Sequence, residues 1–299
     1  MLVIGSRGSQ LALWQSRWVA ARLKELGFET RIEIIHTTGD KITDVPLSKV
    51  GTKGLFTKEI EEALLADTVD LAVHSLKDMP TELPEGLTLA AIPEREDPRD
   101  AIVGSLLSNL KQGAKVGTSS LRRAAQLSQH RPDLVIESVR GNVDTRLRKQ
   151  AEGQYDAIVL ASAGLRRLGL EDHIAESLPP DYMVPAVGQG ALAIETRLTG
   201  AGFDACQLLD HPETRSRVTA ERAVLRELGG GCQVPLGAHA TISGGRLQLL
   251  ARVISPGTGK AITQTLEGPV SQAEALGQQL GQQLLAAGAA EIMKEVYGV

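Results

Sequence analysis

A cysteine that follows three glycines is the residue of this chain best suited to covalent chemistry. Cys232 comes directly after Gly229, Gly230 and Gly231 and shortly before Pro235. The glycines allow positive φ and remove side-chain cover from the thiol, and the proline stiffens the chain beyond it. The pattern predicts a sulfur on a bare turn, where a large group could be attached. The loop is equally compatible with a second interpretation, in which Cys232 is a buried structural cysteine beyond a helix C-terminus, where glycine is common.

Cationic side chains collect at turns between strand-like and helix-like segments. The turns lie at residues 7–9, 49–54, 118–123, 140–146 and 166–167, and the last pair is predicted to begin a helix. Helix N-termini attract anions through free N–H groups and the helix dipole, and arginine adds bidentate binding of carboxylate or phosphate. One such arginine is usually a solvated surface side chain, whereas five turns at equivalent positions indicate a polyanionic ligand. Ser120 has a second interpretation, because serine is a common helix N-cap.

A carboxylate lies just past the end of the predicted strand 69–73. Asp78 follows Lys77 and precedes Pro80. An anion in this place could stabilise a developing cation or transfer a proton. Its more common role is in an Asx-type turn, which the Asp-x-Pro spacing also fits. His74, in an apolar strand, is predicted to be a core histidine with a satisfied hydrogen bond rather than a base.

Composition limits the kind of partner that the chain can have. The 299 residues include 42% hydrophobic and 23% charged residues, which is ordinary for a soluble protein of two or three domains. A net charge of −4 and 3% aromatic residues argue against nucleic acid, which needs cationic and stacking surfaces. Two cysteines without metal-ligand spacing predict neither a zinc site nor a disulfide framework. We see no signal peptide and no apolar run that could cross a bilayer, so we expect a cytoplasmic protein without a membrane partner.

The first two hundred residues alternate between strand patterns and helix patterns. This alternation predicts parallel sheets with helices on both faces, in which ligands bind at the carboxyl ends of strands. Charged, proline-bracketed segments at 93–100 and 178–185 indicate two crossings between lobes. Cys206 is predicted to lie in a helix and to belong to the core.

The last third of the chain has a different pattern. Residues 238–254 alternate as two strands joined by a Gly244-Gly245 turn. A helix is predicted over 271–296, with Ser271 and Glu274 as its capping box.

These patterns together predict an α/β chain with two lobes of mainly parallel sheets and a small C-terminal α+β domain. The predicted boundaries are 1–94 with 189–208 for the first lobe, 98–184 for the second lobe, and 213–299 for the C-terminal domain.

The ordered set of motifs resembles the hydroxymethylbilane synthase, or porphobilinogen deaminase, family. Each motif is weak alone, but together they follow the family's order from Arg7 to the C-terminal domain. The matching stretches are residues 6–9, 12–15, 49–56, 74–78, 96–100, 116–123, 140–143, 185–190 and 231–235. The resemblance implies that the two lobes have the fold of periplasmic binding proteins and that the third domain carries Cys232.

The resemblance also implies an activity. Four porphobilinogen molecules would be joined head to tail, with loss of ammonia, to give the linear tetrapyrrole hydroxymethylbilane in porphyrin and heme biosynthesis. A dipyrromethane cofactor would be linked to Cys232 by a thioether. Each pyrrole carries an acetate and a propionate, so the growing chain is a polyanion, which fits the cationic turns.

Individual roles are implied position by position. Asp78 would interact with pyrrole N–H groups, stabilise the cationic azafulvene formed on deamination, and assist proton transfer. The residues implied to bind the cofactor are Cys232, Lys77, Asp78, Ser120, Arg122, Arg123, Arg140 and Gly141. Those implied to bind substrate are Arg7, Ser9, Arg146, Arg167 and Gln189, and those in or beside a mobile loop are Lys49, Lys53 and Phe56. Gly229 stands where the family often has an acidic residue, so that side-chain contact would be absent.

Two alternatives remain open from the sequence. A cytoplasmic anion-binding protein with the same two lobes and no catalysis would need neither Asp78 nor a cysteine among glycines. A nucleic-acid binder would use the same arginines, but the acidic net charge and the scarcity of aromatic residues argue against it. The pattern has no heptad seam, so we expect a monomer that acts on a small molecule and holds no metal.

Overall fold

The computed structural model describes residues 1–41, 55–230 and 234–297. The chain divides into two compact units. One contains Met1–Glu96 and Ala191–Arg215, and the other contains Asp97–Gly190 and Ser216–Val299.

Strands and helices alternate through most of the described chain. The strands are β1 (Leu2–Ser6), β2 (Thr30–Ile34), β3 (Leu71–Ser75), β4 (Leu87–Ala91), β5 (Asp100–Val103), β6 (Lys115–Gly117), β7 (Val135–Glu137), β8 (Ala157–Ala161), β9 (Ile174–Ser177), β10 (Leu192–Arg197), β11 (Leu236–Ser243), β12 (Arg246–Ile254) and β13 (Ala261–Pro269). The α-helices are α1 (Gln10–Glu25), α2 (Thr38–Lys41), α3 (Lys58–Leu65), α4 (Leu121–His130), α5 (Val143–Ala151), α6 (Ser162–Arg167), α7 (Ala201–Gln207), α8 (Pro212–Glu227), α9 (Ala273–Leu284) and α10 (Ala290–Tyr297).

The first unit is built on a five-stranded sheet with the order β2-β1-β3-β10-β4. β1 pairs in parallel with β2 and β3, whereas β10 pairs antiparallel with β3 and β4, so one strand runs against the other four. Successive side chains of a strand point to opposite faces. Leu71 and Val73 therefore pack into a core with α1 and α7, and Ala72 packs into another core with α3. Helices cover both faces of the sheet, as predicted.

The second unit contains a sheet with a similar design and the order β7-β6-β8-β5-β9. β6 pairs in parallel with β7 and β8, and β5 is the single strand that runs the other way. Val159 faces a core that contains Leu127 of α4, while Ile158 faces a core with Leu147 of α5 and Leu165 of α6. This sheet also has helices on both faces.

The C-terminal part of the second unit is a three-stranded antiparallel sheet, β11-β12-β13, with α8, α9 and α10 in its core. Gly244 and Gly245 have φ of 56° and 74°, which is the left-handed backbone of a two-residue hairpin turn. The predicted fold class, two mainly parallel α/β lobes plus a small C-terminal α+β part, is confirmed. The division into three domains at the predicted boundaries stays a prediction.

Three features of the C-terminal part differ from the sequence-based expectation. β13 was not predicted, because it is an edge strand with few apolar residues to mark its period. The capping box is wrong, since a 3-10 turn at Val270–Gln272 precedes α9 and no side chain caps the helix. The single helix predicted over 271–296 is split by Gly288, whose φ of 100° only glycine adopts readily.

Cys206 lies in α7 and is fully buried, as predicted. Burial, and to a smaller extent the carboxylate of Asp70, raises the pKa of this thiol to about 12. It is therefore an unreactive core residue. Among the described residues, no helix combines the length and the apolar character that crossing a membrane requires.

Candidate active site

The cationic residues of the second unit follow the ends of three parallel strands. β6, β7 and β8 end at one edge of the sheet, and α4, α5 and α6 begin just beyond them. β5 runs the other way, so its first residue, Asp100, pairs with Ala161 at this same edge. The predicted site residues that follow these strand ends are Ser120, Arg122, Arg123, Arg140, Gly141 and Arg146. We call this group the cationic edge.

Asp100 is the anion on which the cationic edge is assembled. Its carboxylate is inaccessible to solvent and accepts from Arg122 Nη1 at 2.7 Å and from Arg123 Nε at 2.9 Å. Gln189 Nε2 donates to the same carboxylate at 2.9 Å. The sequence placed Asp100 in a crossing between lobes and did not identify it as a site residue. Its long-range partners become visible only in the sheet.

The Asp100 carboxylate stays ionised although it is buried. Burial alone would raise the pKa of this carboxyl, but the charges of Arg122 and Arg123, with hydrogen bonds from Arg122 and Gln189, lower the pKa well below its usual 3.8. The backbone oxygens of Val184 and Val159 accept further hydrogen bonds from Arg122 and Arg123 at 2.6 and 3.0 Å. Both guanidinium groups are thus held in fixed positions before any ligand binds.

Arg146 carries a cation that has other cations for neighbours. Its Nε donates to the Gly141 carbonyl oxygen at 2.8 Å. Burial, together with the like charges of Arg123 and Arg140, lowers the pKa of Arg146 to about 10. Gly141 has a φ of 110° and a Cβ there would meet Thr145 at 2.6 Å, so the turn requires glycine. An anionic ligand would relieve the crowding of positive charge.

Two donors near this edge have no hydrogen-bond partner within the described chain. They are Arg122 Nε and Ser162 Oγ, and both are buried. Buried polar groups are normally paired, and Ser162 directly follows Ala161, the partner of Asp100 in the sheet. The donor set therefore fits a ligand with several acceptor oxygens, such as a polycarboxylate.

Three predicted site residues have roles within the protein. Ser120 is the N-cap of α4 and accepts from the Arg123 backbone N–H. Gln189 is buried between Asp100 and the Pro98 carbonyl. Arg167 is almost buried and donates to the Gly190 carbonyl at 2.7 Å. The expectation that Arg167 begins a helix is wrong, because α6 starts directly after β8 and Arg167 lies in its last turn.

The first unit contains a pocket at the ends of β1 and β3. Its lining residues are Arg7, Ser9, Leu11, Ala12, Gln15, Phe56, Thr57, Val73, His74, Ser75 and Asp78. We call it the Asp78 pocket. The pocket combines one carboxylate and one guanidinium with a mixture of apolar and uncharged polar side chains, which suits a flat ring that carries charged groups.

Asp78 ends the 3-10 turn Leu76–Asp78, which follows β3 directly, and its side chain is exposed at the wall of the pocket. The guanidinium carbon of Arg7 lies 4.2 Å from the ring centroid of Phe56. Such a cation–π contact holds the arginine against the wall. Ser9 is the N-cap of α1 and accepts from the Ala12 N–H at 3.3 Å. Lys77 is half-buried beside Asp78.

His74 is buried, and its Nε2 lies 3.1 Å from Glu195 Oε2. The structure thus gives it the partner that a core histidine needs, but it also places the ring on the wall of the Asp78 pocket. Glu195 was not predicted as a site residue. A carboxylate inside the apolar strand Leu192–Arg197 was the available signal.

Three predicted site residues lie outside the described residues. They are Lys49, Lys53 and Cys232.

We predict that Asp100→Asn lowers the free energy of unfolding by about 3–5 kcal/mol at pH 7, because it leaves two buried guanidinium groups without their anion. A carboxyl whose pKa is lowered by folding stabilises the protein above its unfolded pKa of 3.8 and loses this contribution as the pH falls through its folded pKa. The difference between the wild type and the variant should therefore be constant from neutral pH down to about pH 5 and shrink only in stronger acid.

Urea unfolding at several pH values measures this difference. Asp133→Asn is the matched control, since it breaks a partly exposed Asp–Arg pair in the same unit. An equal loss in both variants would contradict a special role for Asp100.

Two family models match this chain. The "porphobilinogen deaminase, dipyromethane cofactor binding domain" covers residues 2–202, and the "porphobilinogen deaminase, C-terminal domain" covers residues 216–286. A porphobilinogen deaminase from Geobacter sulfurreducens is 52% identical over 99% of this chain and 95% of its own length. One from Syntrophotalea carbinolica is 54% identical over 98% of this chain and 95% of its own length.

A solved structure of an ABC transporter periplasmic substrate-binding protein from Coxiella burnetii is similar with a TM-score of 0.41 and 13% identity, and the match covers 74% of this chain and 97% of that one. The family models cover most of the chain, and the sequence identity to these two relatives exceeds 50% along nearly its whole length. The chain belongs to the porphobilinogen deaminase family.

Proposed function

We propose that this chain is a transferase that joins four porphobilinogen molecules head to tail, releases one ammonia for each, and yields hydroxymethylbilane. The observation that carries the proposal is the cationic edge, where Arg146 is buried beside the like charges of Arg123 and Arg140, which lower its pKa. Each pyrrole unit brings two carboxylates, so a chain of such rings supplies the anions that this edge attracts.

The cofactor implied by the family fits the residues of the cationic edge. Arg122, Arg123 and Arg140 would bind its carboxylates, and the unpartnered Arg122 Nε is a donor still to be satisfied. Ser120, Gly141, Lys77 and Asp78 would complete its contacts. A dipyrromethane group attached to Cys232 would supply two pyrrole rings, the outer of which presents a nucleophilic carbon to the first substrate.

Asp78 has the position that the chemistry requires in the first unit. Its carboxylate is exposed at the wall of a pocket, where it can accept from a pyrrole N–H and face the positive charge that develops as ammonia leaves. The turn Leu76–Asp78 is fixed to β3, because Leu76 is buried and its N–H donates to the Ala191 carbonyl at 3.0 Å. The anion is thus positioned before substrate arrives.

The other predicted residues have supporting roles in this proposal. Arg7 and Ser9 bind substrate in the Asp78 pocket, and Arg146 binds substrate carboxylates at the cationic edge. Arg167 and Gln189 act from within the protein, by holding the Gly190 backbone and Asp100. Lys49, Lys53 and Phe56 belong to a loop over the site.

We further propose three domains, at 1–94 with 189–208, at 98–184 and at 213–299, and a monomer in the cytoplasm. Light scattering of the purified protein tests the oligomeric state.

The attachment of the cofactor is tested by intact mass spectrometry. We predict that the purified protein carries an excess mass equal to two condensed pyrroles and that Cys232→Ser abolishes it. Cys206→Ala is the matched control and should keep the excess mass, because the Cys206 thiol is buried and its pKa is raised to about 12. An active wild-type preparation without excess mass would remove the cofactor from the proposal.

The role of Asp78 is tested by Asp78→Asn. The amide keeps the shape of the side chain but removes the anion, so we predict a loss of about 100-fold or more in kcat with the cofactor mass retained. Ammonia release from porphobilinogen measures the rate. Glu82→Gln changes an exposed carboxylate outside the pocket lining and should have little effect. A near-normal rate in Asp78→Asn would assign Asp78 to a turn role, and a wild type that binds pyrroles but releases no ammonia would favour a non-catalytic anion-binding protein.

The cationic edge is tested by Arg146→Gln. Loss of a charged hydrogen-bond donor should raise KM for porphobilinogen about tenfold or more. Steady-state kinetics measures this change. Arg148→Gln is the control in the same helix, because its side chain is 67% exposed and pairs with Glu152 at 3.7 Å. An equal rise in KM in both variants would mean that KM depends on the net charge of the protein rather than on a contact between Arg146 and the substrate.

A further inference from the structure

A buried cluster of three titratable side chains lies behind the Asp78 pocket. His74 on β3 and Glu195 on β10 lie on the same face of the sheet, because His74 pairs with Ala193 and the next residue on that face is Glu195. α3 covers this face and contributes Glu61. The exposed fractions of the three residues are 7% for His74, 0% for Glu195 and 7% for Glu61.

One oxygen of each carboxyl group lacks a donor. Glu61 Oε1 and Glu195 Oε1 are buried without a hydrogen-bond partner in the described part of the chain. Two ionised carboxylates with a neutral imidazole would place two negative charges in the interior, which is costly. Burial raises the pKa of Glu61, and the nearby Glu195 adds to the shift, although Thr57 and His74 oppose it. Glu61 is thereby shifted towards its protonated form, and Glu195 is the carboxyl group that lies 3.1 Å from His74.

This arrangement places a buried carboxylate behind the imidazole of His74. Glu195 Oε2 lies 3.1 Å from His74 Nε2, and in a catalytic His–Asp pair a buried carboxylate in this position orients the ring and stabilises the imidazolium. His74 also lines the pocket that holds Asp78. Among the described residues, the charged groups near the cluster include Glu62 on α3 and Arg7 and Asp78 in the pocket.

The condensation needs a second group besides Asp78. When the carbon–nitrogen bond of the aminomethyl group breaks, its electron pair leaves with ammonia and the substrate becomes a cation. The free ring carbon of the acceptor pyrrole then attacks this cation, and that carbon must lose its proton so that the C–H electron pair returns to the ring. Asp78 is assigned to the cation that forms as ammonia leaves, and a separate base for the ring-carbon proton would let Asp78 remain an anion through the whole cycle.

We propose that His74, backed by Glu195, is a catalytic base that accepts the ring-carbon proton from each condensation and then returns it to the ammonia that has left, as ammonium. No other oxidant, reductant or co-reactant enters, and the cluster ends each cycle in its starting state. The inference rests on the proposed function. It adds a base to the Asp78 pocket, whereas the sequence favoured a purely structural histidine.

The central experiment compares His74→Gln and Glu195→Gln with the wild type. We expect kcat to fall by about 100-fold or more in both variants, since general base catalysis typically contributes 10²–10⁴-fold. With porphobilinogen deuterated at its free ring carbon, the isotope effect on kcat should be larger in His74→Gln than in the wild type, because proton removal becomes slow. Asp78→Asn should not enlarge the isotope effect, because it slows the earlier carbon–nitrogen cleavage.

A variant of the residue directly before β3 separates the proposed catalytic role from a structural role. Asp70→Asn removes a carboxylate that accepts from Val3 N–H at 2.7 Å and lies 3.5 Å from Arg197. It should lower the thermal stability without changing the isotope effect or the pH dependence of kcat/KM. His74→Gln should remove the acidic limb of that pH dependence. If His74→Gln only lowers stability and keeps the wild-type isotope effect and pH dependence, the proposal is wrong.

The charge state of the cluster has its own readout. A carboxyl whose pKa is raised by folding weakens the fold as the pH rises above its unfolded value of 4.5. Glu61→Gln should therefore raise Tm at neutral pH, and the gain should vanish near pH 4. An equal shift at both pH values would contradict a protonated Glu61.

Two kinds of failure remain distinguishable. A wild-type protein that releases no ammonia from porphobilinogen would overturn the proposed function itself. An active wild type with a fully active, correctly folded His74→Gln would overturn the base alone.

Discussion

A single buried carboxylate holds two guanidinium groups at the edge of the second sheet, and the binding site depends on this contact. Asp100 is inaccessible to solvent and bonds to Arg122 and Arg123. It neutralises one of the two positive charges, and Arg140 and Arg146 lie near enough to crowd the remaining charge. Arg122 and Arg123 are therefore held in place before a ligand arrives. The proposed polycarboxylate would then bind without a large cost of side-chain ordering, which is the advantage of a preorganised site.

The two five-stranded sheets share one topological feature. In each of them a single strand is antiparallel to the other four, and this strand places a carboxylate beside the end of a neighbouring strand. β5 begins with Asp100 beside the end of β8, and β10 carries Glu195 to His74 near the end of β3. A wholly parallel sheet would place only carboxyl ends at this edge. The reversed strands thus supply buried anions that position or activate the residues of their neighbours.

The cationic edge and the Asp78 pocket differ in charge, and we propose different roles for them. The cationic edge gathers four guanidinium groups around one buried carboxylate, which fits its proposed role in binding carboxylates. The Asp78 pocket has an exposed carboxylate at its wall, an arginine held on Phe56, and the His74–Glu195 pair behind it. Its exposed carboxylate suits the stabilisation of a cation, and the His74–Glu195 pair is proposed to take up a proton. The proposed proton chemistry thus belongs to the Asp78 pocket, which also contains the proposed substrate-binding residues Arg7 and Ser9.

The sequence by itself determined the α/β class, the hairpin at Gly244-Gly245, the buried Cys206 and the family, because periodicity, turn residues and ordered motifs are local. It also selected Asp78 and the arginines as candidates for the site, since most of them lie shortly after strand ends. The tertiary structure alone decided that Asp100 anchors two of those arginines and that Glu195 binds His74, a residue 121 positions away. It also placed Arg167 at the end of its helix and broke the last helix at Gly288. Such features depend on which strands pair and in which direction, and no local pattern in the chain encodes that pairing.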